Sequence, residues 1–283
     1  MPAPERSPAA PAFSLAGRVA VVTGAAGLLG RQHCRALAAS GAAVVATDLD
    51  EVACQAVAQE LAGEGLDGVD GVAADITDAT SLRRLRDRVL RLHDGIDILV
   101  NDAAVNDRFS DAESAARLSR FEEFPEEMFR RALDVNVTGT FLACRVLGAE
   151  MARRGRGSII NVASTYGMVG PDQRIYRRRD GTQAFWKSPV YPASKGAVLA
   201  FTRYLATYWA DRNVRVNSLS PGGVAHEGGG QEPYFVEQYS ARVPLGRMAR
   251  VHELSGAVVF LAADASSYMT GANLVVDGGW TAW

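Results

Sequence analysis

The stretch Thr23 to Gly30, TGAAGLLG, decides how the rest of the chain is read. Its three glycines follow the spacing GxxGxxG. Before it, Arg18 to Val22 is a short apolar, β-branched run. After it, Leu28 opens an amphipathic pattern, LLGRQHCRALAAS. Strand, glycine turn and helix in that order are the context in which a glycine cluster binds a dinucleotide. Gly24 permits a tight turn, and Gly30 lets the helix pack close to the strand. The helix N-terminus offers free N–H groups, that of Leu28 among them, to a pyrophosphate. A plain βα turn satisfies the same local pattern.

The pattern repeats outward. Apolar runs occur at 18–24, 42–48, 71–75, 96–101, 157–163, 214–220 and 273–279, with helical stretches such as SLRRLRDRVLRLH between them. Continuous apolar strands imply a sheet covered on both faces. Alternation with helices implies parallel strands and right-handed crossovers. The expected fold is α/β: a single-domain, doubly wound, seven-stranded parallel sheet over 14–283, with helices on both faces. Residues 1–13, MPAPERSPAAPAF, lack a continuous apolar core for a secretory signal and read as a mobile tail.

Composition narrows the partners. The 283 residues carry a net charge of -2, with 48% hydrophobic and 22% charged residues. No basic excess points to nucleic acid, and no apolar run is long enough to span a membrane. The cysteines Cys34, Cys54 and Cys144 are scattered and odd in number, which favours neither disulfides nor a zinc site. They fit small buried residues in a reducing cytoplasm. No metal cluster is apparent.

Ligands in doubly wound sheets lie beyond the carboxyl ends of the strands. Those ends read Thr23-Gly24, Asp48, Asp75, Asn101, the approach to Ser164, and Pro221-Gly222. Asp48 lies 18 residues after Gly30. A carboxylate there accepts both adenosine ribose hydroxyls and repels a 2′-phosphate, by about 4 kcal/mol per charge pair at 4 Å and an effective dielectric near 20. No Arg or Lys lies between Thr23 and Gly30 to offset this. NAD is therefore expected over NADP. The competing role for Asp48 is to cap the following helix.

In YPASK, Tyr191 and Lys195 are four apart and share a helix face. A phenol ionises near pH 10, and a neighbouring ammonium moves it toward neutrality. That suits proton exchange with an alcohol or carbonyl while a hydride passes to or from nicotinamide. A solvated pair is the plainer reading of YxxxK alone.

TGAAGLLG, Asp48, VAAD, ILVNDAA, DVNVTGTF, SIINVASTYG, YPASK, VRVNSLSPGG and VVDGGW recur in the order of one family. From about residue 14 onward the chain resembles the short-chain dehydrogenases/reductases. The resemblance implies a Rossmann fold, a nicotinamide cofactor, alcohol–carbonyl redox chemistry and a homotetramer. It implies a catalytic tetrad of Asn136, Ser164, Tyr191 and Lys195. Ser164 binds the substrate oxygen, Tyr191 carries the proton, Lys195 tunes the tyrosine and binds ribose, and Asn136 holds a relaying water. It also implies cofactor contacts at Gly24, Gly27, Leu28, Leu29, Gly30, Asp48, Asp75, Ile76, Asn101, Ala103, Pro221, Gly222 and Val224. Apolar positions on 136–153 and 196–211 are enough to face both sheet and partner.

Three features depart from the family. Leu28 stands where the family has glycine, and Gly27 precedes it. Asp102 and Ala104 replace residues of NNAG. Ser164 and Tyr191 are 27 apart, about twice the usual separation. The enlarged loop, 168–189, carries Arg174, Arg177, Arg178, Arg179 and Lys187. It reads either as a wall for a polar or anionic substrate, or as a solvated surface or subunit contact. A second wall, 222–247, reads as a lid with Gly228 to Gly230 as its hinge; Tyr234, Phe235 and His226 are its candidates to face substrate, and His226 is equally a surface residue. The substrate expected is a polyhydroxylated or anionic secondary alcohol: a sugar, cyclitol, nucleoside or sugar acid. The alternatives are a 3-oxoacyl-thioester reductase, against which Asp48 counts, and a non-catalytic cofactor-binding protein, against which the intact tetrad counts.

Overall fold

The computed structural model describes residues 12–106, 109–226, 228 and 231–283. Seven strands form one sheet: β1 (Val19–Thr23), β2 (Ala43–Thr47), β3 (Val69–Gly71), β4 (Ile98–Asn101), β5 (Gly157–Val162), β6 (Val214–Pro221) and β7 (Asn273–Val276). Their order is β3-β2-β1-β4-β5-β6-β7 and every pairing is parallel. This is the doubly wound sheet expected from the alternating pattern. The winding reverses between β1 and β4, and that is where such sheets bind ligands.

Among the described residues, ten α-helices pack around it: α1 (Leu28–Ala39), α2 (Glu51–Gly63), α3 (Ala79–Leu92), α4 (Ala112–Leu118), α5 (Glu126–Leu133), α6 (Thr140–Ala143), α7 (Ala149–Arg154), α8 (Val190–Tyr208), α9 (Pro233–Ser240) and α10 (Ser255–Ala262). Successive strand residues point to opposite faces. Val19 and Val21 therefore join α3, α6, α7 and α8 in one core, while Ala20 and Val22 join α1, α2 and α10 in the other. None of the described helices is long and apolar enough to cross a membrane.

The third run differs from expectation. The apolar pattern predicts a strand over 71–75, but β3 ends at Gly71. Beyond it, Val72 and Ala74 still donate to the Ala46 and Asp48 carbonyls at 3.0 and 2.8 Å. Of the expected tail, Ala12 and Phe13 are described and both make contacts. Ala12 accepts from Ala265 N–H at 2.9 Å, and Phe13 packs on Phe260 with centroids 6.4 Å apart. The rest of the expected tail lies outside the described residues.

The carboxyl ends of the central strands share one polar row. Thr23 pairs with Asn101, Asn101 with Asn161, and Asn161 with Ser218. Side chains knit it together: Asn101 Nδ2 donates to Asn161 Oδ1 at 2.8 Å, and Asn161 Nδ2 to Thr202 Oγ1 at 2.9 Å. These bonds link the buried amides and align the strand ends beneath the site, although the buried Asn101 Oδ1 accepts no hydrogen bond among the described residues.

Candidate active site

A cleft of about 570 Å³ opens beyond the carboxyl ends, within the size range of small-molecule sites. Gly24, Gly27, Leu28, Leu29, Asp48, Asp75, Ile76, Ala103, Ser164, Tyr191, Lys195, Pro221, Gly222 and Val224 line it. Three expected site residues do not. Gly30 lies behind the turn, Asn101 is committed to the polar row, and Asn136 is buried at the rear.

The turn itself is a main-chain cradle. Gly24 has φ +70°, and a Cβ there would meet Ala103 backbone atoms at 2.7 Å. A Cβ on Gly30 would lie 2.1 Å from the Gly24 carbonyl oxygen. No side chain caps the start of α1, where Gly27 is extended at φ -72° and ψ 171°. Leu28 is therefore an ordinary first helical residue, and the displaced glycine leaves the cradle intact. An uncapped N-terminus facing a cleft suits a pyrophosphate, and the two glycines let the backbone of the turn pack closely beneath it.

Asp48 does not cap α2. That role falls to Asp50, whose carboxylate accepts from Val52 and Ala53 N–H. Asp48 instead accepts from Ala26 N–H at 3.1 Å and Leu49 N–H at 2.8 Å, which holds its carboxylate beside the glycine turn. The basic residues of α1 nearest the turn point elsewhere: Arg31 and Arg35 pair with Glu60 on α2. Asp75 accepts from the backbone and hydroxyl of Thr77 at 2.8 and 2.7 Å.

Asp102 lines the same cleft. Burial pushes its carboxyl up, opposed by His33 and Lys195. His33, on α1, is fully buried with both ring nitrogens unpartnered, and burial pushes its imidazole down toward the neutral form. The sequence pattern assigned His33 no chemistry; helical periodicity alone does not reveal that it interacts with the carboxyl of Asp102, just past β4.

Ser164, Tyr191 and Lys195 meet at one end of the cleft. Ser164 follows β5 and accepts from Tyr166 N–H at 3.2 Å, at the head of a single 3₁₀ turn. Lys195 is 5% exposed and its Nζ donates to the Val162 carbonyl at 2.8 Å. Burial lowers its ammonium to about 8, against the pull of Asp102. The Lys195 Nζ is 5.9 Å from the centroid of the Tyr191 ring. Asn136 sits in a π-helical turn, Asp134–Gly139. Its Oδ1 accepts from Val105 N–H at 2.8 Å, and its Nδ2 donates to Val105 C=O at 3.1 Å and Ser194 Oγ at 3.2 Å. The side chain thus braces the 102–106 segment against α8, and its amide is not offered to the cleft.

The enlarged loop does not bring its arginines to the cleft. Arg174 is bound to Asp172, Arg177 to Gln183 and Arg179 to Glu237. None of the four lines the cavity. The loop's aromatic residues instead pack inward: Tyr176 lies 4.6 Å from Phe185 and stacks on Phe235 of α9 at 5.5 Å. Asp172 also holds Arg242 at 2.7 Å; the Arg174 and Arg242 guanidinium groups keep its carboxyl well below the usual range. Loop and α9 therefore form one aromatic wall with Tyr166, Tyr239 and Trp280. Phe235 belongs to that wall, and Tyr234 lies under Arg179 at 4.9 Å. Gly229 and Gly230 of the expected hinge lie outside the described residues. His226 is exposed and lines the cleft.

A parallel sheet with a main-chain cradle at its switch point, and a Ser–Tyr–Lys cluster beside it, defines a Rossmann-type dinucleotide-binding protein. A family model described as enoyl-(acyl carrier protein) reductase matches residues 24–281. The chain is 36% identical over 271 residues to D-threitol dehydrogenase of Mycolicibacterium smegmatis, covering 95% of each. It is 38% identical over 274 residues to galactitol 2-dehydrogenase (L-tagatose-forming) of Cereibacter sphaeroides, covering 96% and 98%. A crystal structure of a gluconate 5-dehydrogenase from Burkholderia cenocepacia, in complex with NADP and tartrate, superposes with a TM-score of 0.82 at 30% identity, over 96% of this chain and 98% of that one. The chain belongs to the short-chain dehydrogenase/reductase family.

Proposed function

We propose that this protein is an NAD-dependent dehydrogenase of polyhydroxylated secondary alcohols. The observation that carries the reading is the meeting of Ser164, Tyr191 and Lys195 on one wall of a cleft whose other end is the glycine cradle. Ser164 Oγ donates to the substrate oxygen and stabilises its developing charge. Tyr191 takes the hydroxyl proton during oxidation and returns it during reduction. Lys195 favours the tyrosinate and reaches the cofactor ribose. Asn136 acts at one remove, by bracing the 102–106 segment against α8. The nicotinamide, when bound, supplies the hydride acceptor.

Asp48 supports NAD over NADP. It is held at the cradle by two backbone donors, and Arg31 and Arg35 are already paired with α2. The gluconate dehydrogenase that carries NADP points the other way. The threitol and galactitol dehydrogenases support a polyol. The family model's description favours an acyl-thioester substrate instead. One assay separates these readings: tetritols, hexitols and sugar acids with NAD and NADP, followed by NAD(P)H absorbance, beside oxoacyl and enoyl thioesters with NADPH and NADH. Turnover of thioesters alone, or a preference for NADP with the polyols, overturns the reading.

We also infer a homotetramer. Phe141, Tyr204 and Tyr208 are 42%, 61% and 62% exposed, on the long helical segments that carry Asn136 and Lys195. Leu142, Val146, Leu147 and Leu205 are buried in the core, which leaves the aromatic residues for a partner. Light scattering at micromolar concentration tests it, and a monomer refutes it. A reducing cytoplasm is the proposed setting, because all three cysteines are free and buried.

A further inference from the structure

The enlarged loop delivers one charged side chain to Tyr191, and it is not an arginine. Lys187 is 9% exposed. Its backbone is pinned on both sides by Gln173: Lys187 N–H donates to Gln173 Oε1 at 2.8 Å, and Gln173 Nε2 donates to the Lys187 carbonyl at 3.1 Å. Gln173 is held in turn, its carbonyl accepting from Gln183 Nε2 at 2.7 Å. The Lys187 ammonium donates to Asn106 Oδ1 and lies 4.1 Å from the centroid of the Tyr191 ring. A buried ammonium is unfavourable unless something stabilises it. A ring face contributes to that stabilisation, and a tyrosinate strengthens the attraction.

We propose that Lys187 is a positioning residue for Tyr191: its ammonium fixes the ring and, together with Lys195, stabilises the tyrosinate. The proposal rests on the assignment of Tyr191 as proton carrier. It also accounts for the length of the loop, which places a lysine four residues before the tyrosine and folds back far enough for Gln173 to hold it.

Other ionisable groups also face the Tyr191 ring. Tyr166 meets the Tyr191 ring edge-on at 6.4 Å from the turn after β5. Tyr176 from the loop and Tyr239 from α9 also act on it. Burial pushes all three phenols up, Tyr166 to about 12, so they stay neutral while Tyr191 titrates. Asp172, which acts on Tyr166, is committed to Arg174 and Arg242. Asp102 acts from behind Lys195.

An opposite charge within about 4–6 Å moves an ionisation by one to three pH units. Lys187 sits over the ring rather than at the oxygen, so the lower end applies. Lys187→Met should shift the acid limb of kcat/KM for polyol oxidation upward by about one pH unit, a loss of about tenfold on that limb. Wild type and variant should converge at high pH, with KM for the alcohol unchanged there. Lys187→Arg should restore the limb. A difference titration of tyrosinate absorbance, wild type minus Tyr191→Phe, reads the same shift without turnover. An unmoved limb and an unmoved titration overturn the proposal. A raised KM with a fixed limb makes Lys187 a substrate contact instead, and a uniform loss that arginine fails to rescue makes it structural; both overturn it. If wild type turns over no polyol but the titration shifts, the proposed function fails and the role of Lys187 stands.

Discussion

The two ends of the cleft are built from different materials. At the cradle end, backbone and the absence of side chains do the work: Gly24 and Gly30 let backbone pack against backbone, and the start of α1 leaves N–H groups uncapped. At the loop end, side chains do it. Tyr166, Tyr176, Phe185, Phe235, Tyr239 and Trp280 pack into one aromatic cluster against Tyr191, which itself lines the cleft. A main-chain site tolerates almost no substitution at its glycines but is indifferent to its neighbours' identity. A side-chain wall can be rebuilt residue by residue, which makes it the natural place for substrate preference to change while the cofactor end stays the same.

The largest effect should fall at the end away from the cradle. Tyr191→Phe removes the proton carrier and should lower kcat about 10²- to 10⁴-fold, with the Kd for NAD changed less than tenfold. A larger loss of NAD affinity in a binding titration would show that the tyrosine belongs to the cradle end as much as to the reaction.

Next comes Gly30→Ala. Its Cβ would lie 2.1 Å from a backbone oxygen, with no flexible side chain to give way. Unfolding free energy should fall by about 3 kcal/mol or more, and NAD affinity with it. A variant of unchanged stability in denaturant and unchanged affinity breaks the claim that the cradle is set by backbone contact.

Tyr176→Ala should behave in the opposite way. Tyr176 is 7% exposed, stacks on Phe235, and shares a hydrogen bond with Tyr166 at 3.2 Å. Its loss should lower stability by about 3 kcal/mol and raise KM for the alcohol, while the Kd for NAD is unchanged. If cofactor affinity falls in parallel, the two ends are not separable.

A smaller change is expected at Asp48. Asp48→Ala removes the like charge that would oppose a 2′-phosphate, and the ratio of kcat/KM for NAD over NADP should drop at least tenfold, about 1.4 kcal/mol. Wild-type enzyme that uses both cofactors equally well falsifies the role given to Asp48.

The smallest effect is predicted for Arg174→Ala. This side chain is 69% exposed and paired within its own turn to Asp172. With the guanidinium in solvent, the pair contributes little, and Asp172 keeps Arg242 as a partner when it is lost. Tm, KM and kcat should all stay within error, whereas a raised KM would return the arginines to the substrate site.

The sheet, its parallel winding, the glycine turn and the residues at the strand ends were all legible in the sequence. Each is local: apolar period, a missing side chain and a short motif act within a few residues of one another, and Asp48 and YPASK sit at positions the winding dictates. The third strand misled because VAAD has strand composition and still bonds to β2 through Val72 and Ala74, yet the regular strand ends at Gly71. Asn101 and Asn136 lie in recognisable motifs, yet their amides are taken by Asn161, Val105 and Ser194. What only the tertiary structure decided was which side chains of the enlarged loop face the site. Four arginines in sequence suggest an anion, but each charge goes where the nearest solvent or carboxylate stabilises it, and that depends on α9 and on Asp172 meeting Arg242 across 70 residues. Lys187 shows the same rule from the other side. Nothing in its neighbours marks it, and its burial against Tyr191 follows from Gln173, fourteen residues away, folding back to hold its backbone.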